Sequence, residues 1–171
     1  MVRFKNQGFS LVEVLIVVVI IGIIVAIAIP NLMGARRASN EASTVSAMRV
    51  LHGAQTTYSS TSGNGEFAGN INSQDTSSLA ELHNANLIDN VLGSGYKSGF
   101  SFVGDRVPSS PGIPPTFYFS AIPISTSGIS QTGVRRYGIA TNGVVKADST
   151  EADLGTHFNA VTLASAPPFN Q

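Results

Sequence analysis

The sequence predicts an α+β chain in which one long N-terminal helix, apolar over its first half and amphipathic over its second, packs on a small antiparallel sheet. Three observations lead there. From Val14 to Ile29 every residue is apolar or Gly. After Pro30, apolar residues recur at steps of three or four as far as Tyr58. The second half of the chain breaks into short β-branched and aromatic runs bounded by Gly, Pro and Asn.

Extending the apolar run back to Phe9 adds only Ser10 and Glu13 as polar residues. Such a stretch is about 20 residues, or roughly 30 Å as a helix, which matches a bilayer core. Val and Ile dominate it and would favour a strand in water. In lipid a helix satisfies its own backbone groups, so the helix is expected. Pro30 ends the apolar run; it lacks a backbone donor, so the hydrogen bond to Ala26 is lost and a kink is expected in a helix that runs from about Phe9 to about Tyr58.

The segment is consistent with a plain anchor. An ordinary secretory signal would use Arg3 and Lys5 as its basic start and Ala26-Ile27-Ala28 as its cleavage site. Two features count against that signal: the apolar run is too long, and Glu13 sits near its start. More is explained by Gly8-Phe9-Ser10-Leu11-Val12-Glu13, which follows a short basic leader and precedes the unbroken run. With Pro30-Asn31-Leu32 in register, this resembles the type IV prepilin signature shared by pilins and the pseudopilins of type II secretion.

The resemblance implies a leader, residues 1–8, removed by a prepilin peptidase between Gly8 and Phe9, with methylation of the new Phe9 amine. It implies a membrane and assembly helix over 9–30, an amphipathic helix over 31–58 and a globular domain over 59–171. The chain is then a single-pass inner-membrane protein before assembly. Inner-membrane machinery draws it into a homo-polymer, a pilus outside the cell or a periplasmic pseudopilus. Gly8 has no side chain to hold a protease off the scissile backbone. Loss of Arg3 and Lys5 with the leader leaves eight basic against ten acidic residues, a net charge of −2.

Glu13 needs a reason to be where it is. A charge at the bilayer centre costs about 2.5–3.5 kcal/mol on insertion scales. Near the interface Glu13 snorkels at little cost. In a filament the resemblance implies a partner, the Phe9 amine of an adjacent subunit, which would set the axial register. It also implies that the Gly22–Pro30 stretch loses helix when the subunit enters the fibre.

The amphipathic part carries Ala35, Ala38, Ala42, Val45, Met48, Leu51, Ala54 and Tyr58 on its apolar stripe. Arg36, Arg37, Asn40, Glu41, Arg49 and Gln55 read as the wet face. Ser59–Asp75 reads as a loop, and Ser77 or Ser78 as the cap of a short helix over about Leu79–Asn86. Gly93-Ser94-Gly95 reads as a turn. Strands are expected at Phe100–Val103, Phe117–Ile122, Tyr137–Ala140 and Val144–Ala147, the last two flanking Asn142-Gly143. They form a meander of three or four strands, and from Asp148 the chain is expected to be irregular.

Composition excludes several functions. Basic and acidic residues balance at ten each, so nothing marks the chain for nucleic acid. Without cysteine there is no disulfide, thiolate zinc site or cysteine nucleophile. The lysine among the glycines of Gly93–Gly99 lacks phosphate-loop order, and no Gly-x-Ser-x-Gly elbow occurs. His52, His83 and His157 are scattered. Asp148, Glu151 and Asp153 are candidate calcium ligands by their hard oxygens, and the resemblance implies the same, since major pseudopilins, which are similar to pilins, use a C-terminal calcium loop. The spacing matches no defined calcium motif, so a solvated acidic loop is the competing expectation. No enzyme is expected. The expectation is a pilus subunit, with a major pseudopilin or a minor pilin acting as a binding module through Ser59–Asp75 and Arg106–Pro115 as alternatives.

Overall fold

A computed structural model describes residues 8–169; Arg3, Lys5 and most of the leader lie outside them. The chain divides between Ala35 and Arg36 into two compact units. Helix α1, Leu11–Thr61, contributes to both. In the first unit every side chain from Phe9 to Leu32 is exposed. By length and composition this helix is apolar enough to cross a membrane. Pro30 lies inside it rather than ending it.

In the second unit, α2 spans Ser77–Asn84 and α3 spans Asn90–Gly93. Strands β1, Tyr96–Lys97, and β2, Phe100–Val107, are followed by β3, Thr116–Pro123. Strands β4, Arg136–Ala140, and β5, Val145–Asp148, complete one antiparallel sheet in the order β1-β2-β3-β4-β5. A single 3-10 turn, Glu151–Asp153, precedes α4, Ala160–Ser165.

The second part of α1 packs Val45, Met48, Leu51 and Ala54 into a core with Leu79, Leu82, Phe100, Phe102, Phe119, Tyr137 and Ile139. The opposite sheet face is covered too. Tyr118 from β3, Phe158 and Leu163 of α4 form a second cluster there. Covering both faces explains why Phe117–Ala121 is buried at every position instead of alternating. Gly138 in β4 makes this second packing layer fit: a Cβ there would lie 2.4 Å from Leu163 Cδ1.

Several expectations need correction. The buried face of α1 is turned from the expected stripe. Glu41 and Gln55, read as wet, are buried, whereas Ala35, Ala38 and Ala42 are exposed. Both buried polar groups are satisfied, as burial demands. Gln55 Nε2 donates to Ala68 O at 3.0 Å, and Ala68 N donates to Gln55 Oε1 at 2.8 Å. The N-cap of α2 is Thr76, without a side-chain bond. Ser77 Oγ serves Asp75 instead. The turn at Gly93–Gly95 is the end of α3, capped by Asp89. Strand β2 extends through Arg106 and Val107, shortening the loop expected there.

The hairpin at Asn142-Gly143 forms, but with a longer loop than the dipeptide signals. Gly143 N donates to Ala140 O, and Gly143 takes φ +73° just after the turn. Asn142 Oδ1 accepts from Val144 N at 3.1 Å. The segment after Asp148 is ordered. Asn159 and Thr162 close α4 with a reciprocal capping box.

Candidate functional site

At the start of α1, Ser10 and Glu13 sit at the N-cap and third helical positions, the spacing of a capping box. Ser10 Oγ accepts from Val12 N at 3.3 Å, and Glu13 Oε2 accepts from Ser10 N at 3.0 Å. The carboxylate thus satisfies one of the amides that a helix start leaves unpaired and faces the positive end of the helix dipole. Sequence reasoning treated Glu13 as a charge waiting for an intermolecular partner. The Ser-x-x-Glu spacing was a readable signal of this local partner. Phe9 stands just before the cap, 82% exposed, and Gly8 precedes it.

Gly22 has open space around it, with nothing within 4 Å of a Cβ built there. Around Pro30, the missing N–H leaves the carbonyl of Ala26 without its helical donor. Asn31 Nδ2 donates to Ile27 O at 3.3 Å, adding a polar contact beside that gap.

In the globular unit two of the three acidic residues read as calcium ligands, Asp148 and Asp153, bind a guanidinium. Arg136 on β4 is almost wholly buried. Its Nη2 donates to Asp148 Oδ2 at 2.7 Å and Asp153 Oδ2 at 3.2 Å, its Nε to Asp148 Oδ2 at 3.0 Å, and its Nη1 to Thr156 O at 3.0 Å. Its Cζ lies 4.2 Å from the Phe158 ring centre. Glu151 is exposed and makes no ion pair with this centre. Burial alone would raise the Asp148 carboxyl; hydrogen bonds from Thr150 N and Oγ1 and the Arg136 guanidinium outweigh it and hold the group below its ordinary range. Among the described residues no cluster of three His, Asp or Glu side chains is arranged to hold a metal ion. The convergent oxygens of Asp148 and Asp153 serve the Arg136 guanidinium.

Two polar centres escaped sequence reasoning. Glu41 accepts from Val134 N at 2.7 Å, Tyr137 Oη at 3.0 Å and Arg135 Nη1 at 3.5 Å. Its position four residues before Val45 and seven before Met48 was the available signal. Ser120 Oγ accepts from Phe158 N at 2.9 Å and lies 3.1 Å from His157 Nδ1. That serine is fully buried, so the pair pins the C-terminal segment to β3 and offers no accessible nucleophile.

Residues 3–29 match a family model described as the prokaryotic N-terminal methylation motif. Over 54 residues the chain is 35% identical to type II secretion system core protein G of Klebsiella pneumoniae, covering 32% of this chain and 39% of that protein. It is 41% identical over 54 residues to type IV major pilin protein PilA of Myxococcus xanthus (strain DK1622), covering 32% of this chain and 24% of that protein. Against type II secretion system core protein G of Escherichia coli (strain K12) the identity is 37% over 54 residues, covering 32% and 37%. The chain therefore matches less than half the length of each of these relatives. No solved structure matches it. By name, one of these relatives is a major pilin and two are core proteins of a type II secretion system. With the methylation motif at its N-terminus, a long apolar helix and a five-stranded antiparallel sheet, the chain is similar over its N-terminal third to type IV pilins and type II secretion core proteins, and its α+β architecture is consistent with a pilin-like fold.

Proposed function

We propose that the chain is a structural subunit of a type IV pilus, cut after Gly8, methylated on Phe9, held in the inner membrane by the apolar part of α1 and polymerised through it. The observation that carries this reading is the fully exposed apolar run from Phe9 to Ile29, interrupted only by Ser10 and Glu13. Such a surface is costly in water and must be covered by lipid or by protein. Lipid covers it before assembly and the same helix of neighbouring subunits covers it afterwards. Glu13 would then exchange its Ser10 amide partner for the Phe9 amine of an adjacent subunit.

The pseudopilin reading stands second, favoured by the likeness to two secretion core proteins. The Arg136 centre weighs on the pilus side, because a guanidinium holds the acidic residues that a calcium loop would use. Mass spectrometry of the mature N-terminus and imaging of sheared fibres test the proposal together. A chain beginning at methylated Phe9, dominant in sheared surface fibres, is expected. A chain beginning at Ile29 would establish a secretory signal instead. Correct processing with no surface fibre, and loss of protein secretion on deleting the gene, would establish the pseudopilus.

A further inference from the structure

The exposed stretch of β2 beyond the two-residue β1, and the outer edge of β5, are both covered, by different devices. An open edge presents a row of unpaired N–H and C=O groups, ready to pair with another chain. Along β2 the cover is β1 and then the segment before α2. Gly104 N donates to Asp75 O at 2.8 Å, Asp75 N to Gly104 O at 3.1 Å and Asn72 N to Arg106 O at 3.0 Å. The Asp75 carboxylate holds that segment through Asn70, Ser73 and Ser77.

Along β5 the cover is the chain's own C-terminal segment, and Lys146 Nζ donates to Ala164 O just ahead of it at 2.6 Å. Ala147 N donates to Pro167 O at 3.2 Å and Phe169 N to Val145 O at 2.9 Å, with Lys146 opposite Pro168. The Phe169 ring meets Tyr137 edge-on at 5.4 Å and lies 5.8 Å from the Arg135 guanidinium. Among the described residues 166–169, the outward side of this segment offers no free backbone donor. In this register Ala166 and Pro168 turn their backbone groups away from β5. Ala166 N is taken by Thr162 O, and proline has no N–H.

The geometry of the covered edge also names what it excludes. The groups satisfied by the strap are Val145 O and Ala147 N, one residue either side of Lys146. A second β5, antiparallel and related by a two-fold axis, would satisfy the same two groups with its own Ala147 N and Val145 O. Residue 146 would then stand opposite residue 146. Two lysines face to face there would repel, a second guard on the same edge.

We propose that Ala166–Phe169 is a proline-blocked strap that closes β5 against antiparallel pairing with β5 of a second copy of this chain. Because the chain has no cysteine, Lys146→Cys supplies a unique probe. The full chain in detergent micelles, carrying Lys146→Cys, is oxidised and the rate of disulfide-linked dimer is followed. Three forms are compared: the strap intact, the chain ended after Ser165, and the strap loosened by Phe169→Ala. Ile113→Cys, at an exposed position on the β2–β3 connection, reports chance encounters in a shared micelle.

Both altered forms are expected to link through position 146 about tenfold faster than the intact form, the scale of one lost aromatic contact in a two-state equilibrium. The Ile113→Cys rate should not change. Rates at position 146 within about twofold of the intact form in Phe169→Ala, a variant that keeps the whole chain, overturn the proposal. An equal rise at position 113 overturns it too, since the copies would then associate elsewhere.

Discussion

The carboxylate of Glu41 accepts a hydrogen bond from the buried hydroxyl of Tyr137, 3.0 Å away, joining α1 to β4 inside the core. Burial, and then the Glu41 charge, raise the Tyr137 hydroxyl well above its ordinary pKa, so it stays a donor at all physiological pH. Replacing Glu41 with Ala strands that hydroxyl and the Val134 amide. A buried polar group left unsatisfied costs about 1–3 kcal/mol, so Glu41→Ala should lose about 2–4 kcal/mol in denaturant unfolding. Tyr137→Phe should lose only about 0.5–1.5 kcal/mol, because Glu41 keeps Val134 and Arg135. The double variant should lose less than the sum of the two. A loss for Glu41→Ala within about 0.5 kcal/mol, typical of exposed positions, would return Glu41 to the wet face.

The Arg136 centre gives a second prediction, with calcium as its rival. Arg136→Met leaves Asp148 and Asp153 without the buried cation and should cost about 3–5 kcal/mol. For the unaltered protein, chelation should leave the melting temperature where it was. Bound calcium at a hundredfold excess over Kd would contribute about 2.7 kcal/mol, so a clear fall in Tm with chelator would show that the acidic residues hold a metal despite the guanidinium.

What the sequence made legible follows the strength of local pattern. The apolar run needed no tertiary context, since composition alone marks it. The four expected strands were readable because their β-branched and aromatic runs are bounded by Gly, Pro and Asn. Glu41 and Gln55 were misplaced because polarity was read as exposure, when each has partners 93 and 13 residues away in sequence. No local pattern carries such pairs. The C-terminal segment was misread for a similar reason. Phe158, Leu163 and Phe169 are isolated apolar residues in a polar stretch, and only the second sheet face and the β5 edge give them a place. At Ser10–Glu13 the Ser-x-x-Glu spacing carries the cap, but spacing alone does not separate a capping carboxylate from one that awaits a partner in the bilayer.

His157 predicts the pH dependence of the globular unit. Burial lowers its pKa from 6.5 to about 4, so the folded imidazole is neutral where the unfolded one is charged. Between those values the unfolded state binds more protons, and stability falls with falling pH. The contribution is fully present above the ordinary value and lost as pH drops from 6.5 towards 4. Asp75 and Asp148 act lower down. Burial alone would raise the Asp75 carboxyl, yet its donors hold it at about 2 against an ordinary 3.8, so its share is lost only as pH falls below 3.8. Urea midpoints of the intact protein should therefore decline between about pH 6.5 and pH 4.5. His157→Asn should flatten that decline, and an undiminished slope in the variant would assign it to other groups.

Among the described residues the Glu13 carboxylate has one partner, Ser10 N, and it acquires another in the proposed filament. Two substitutions separate these roles. Glu13→Gln keeps an oxygen that can accept from Ser10 N but removes the charge. Glu13→Leu removes both and replaces a residue costing a few kcal/mol in the bilayer with a favourable one. Insertion should be as good or better in both variants. Cleavage after Gly8 should persist, since the scissile peptide lies several residues away. Loss of the capping acceptor should fray the first turn of α1 in Glu13→Leu and not in Glu13→Gln, a difference of about 0.5–2 kcal/mol in helix stability. Polymerisation should fail in both, because the Phe9 amine of the adjacent subunit loses its charged partner. Breaking a buried pair by removing one member costs about 3–5 kcal/mol, and the loss recurs at every subunit. Trimmed, unpolymerised protein in the inner membrane is the expected result, read by mature mass and by the absence of sheared fibres. Normal fibres from Glu13→Gln with none from Glu13→Leu would assign Glu13 to the helix cap alone. Normal fibres from both would make it a passenger near the membrane surface, and the charged register would have to be abandoned.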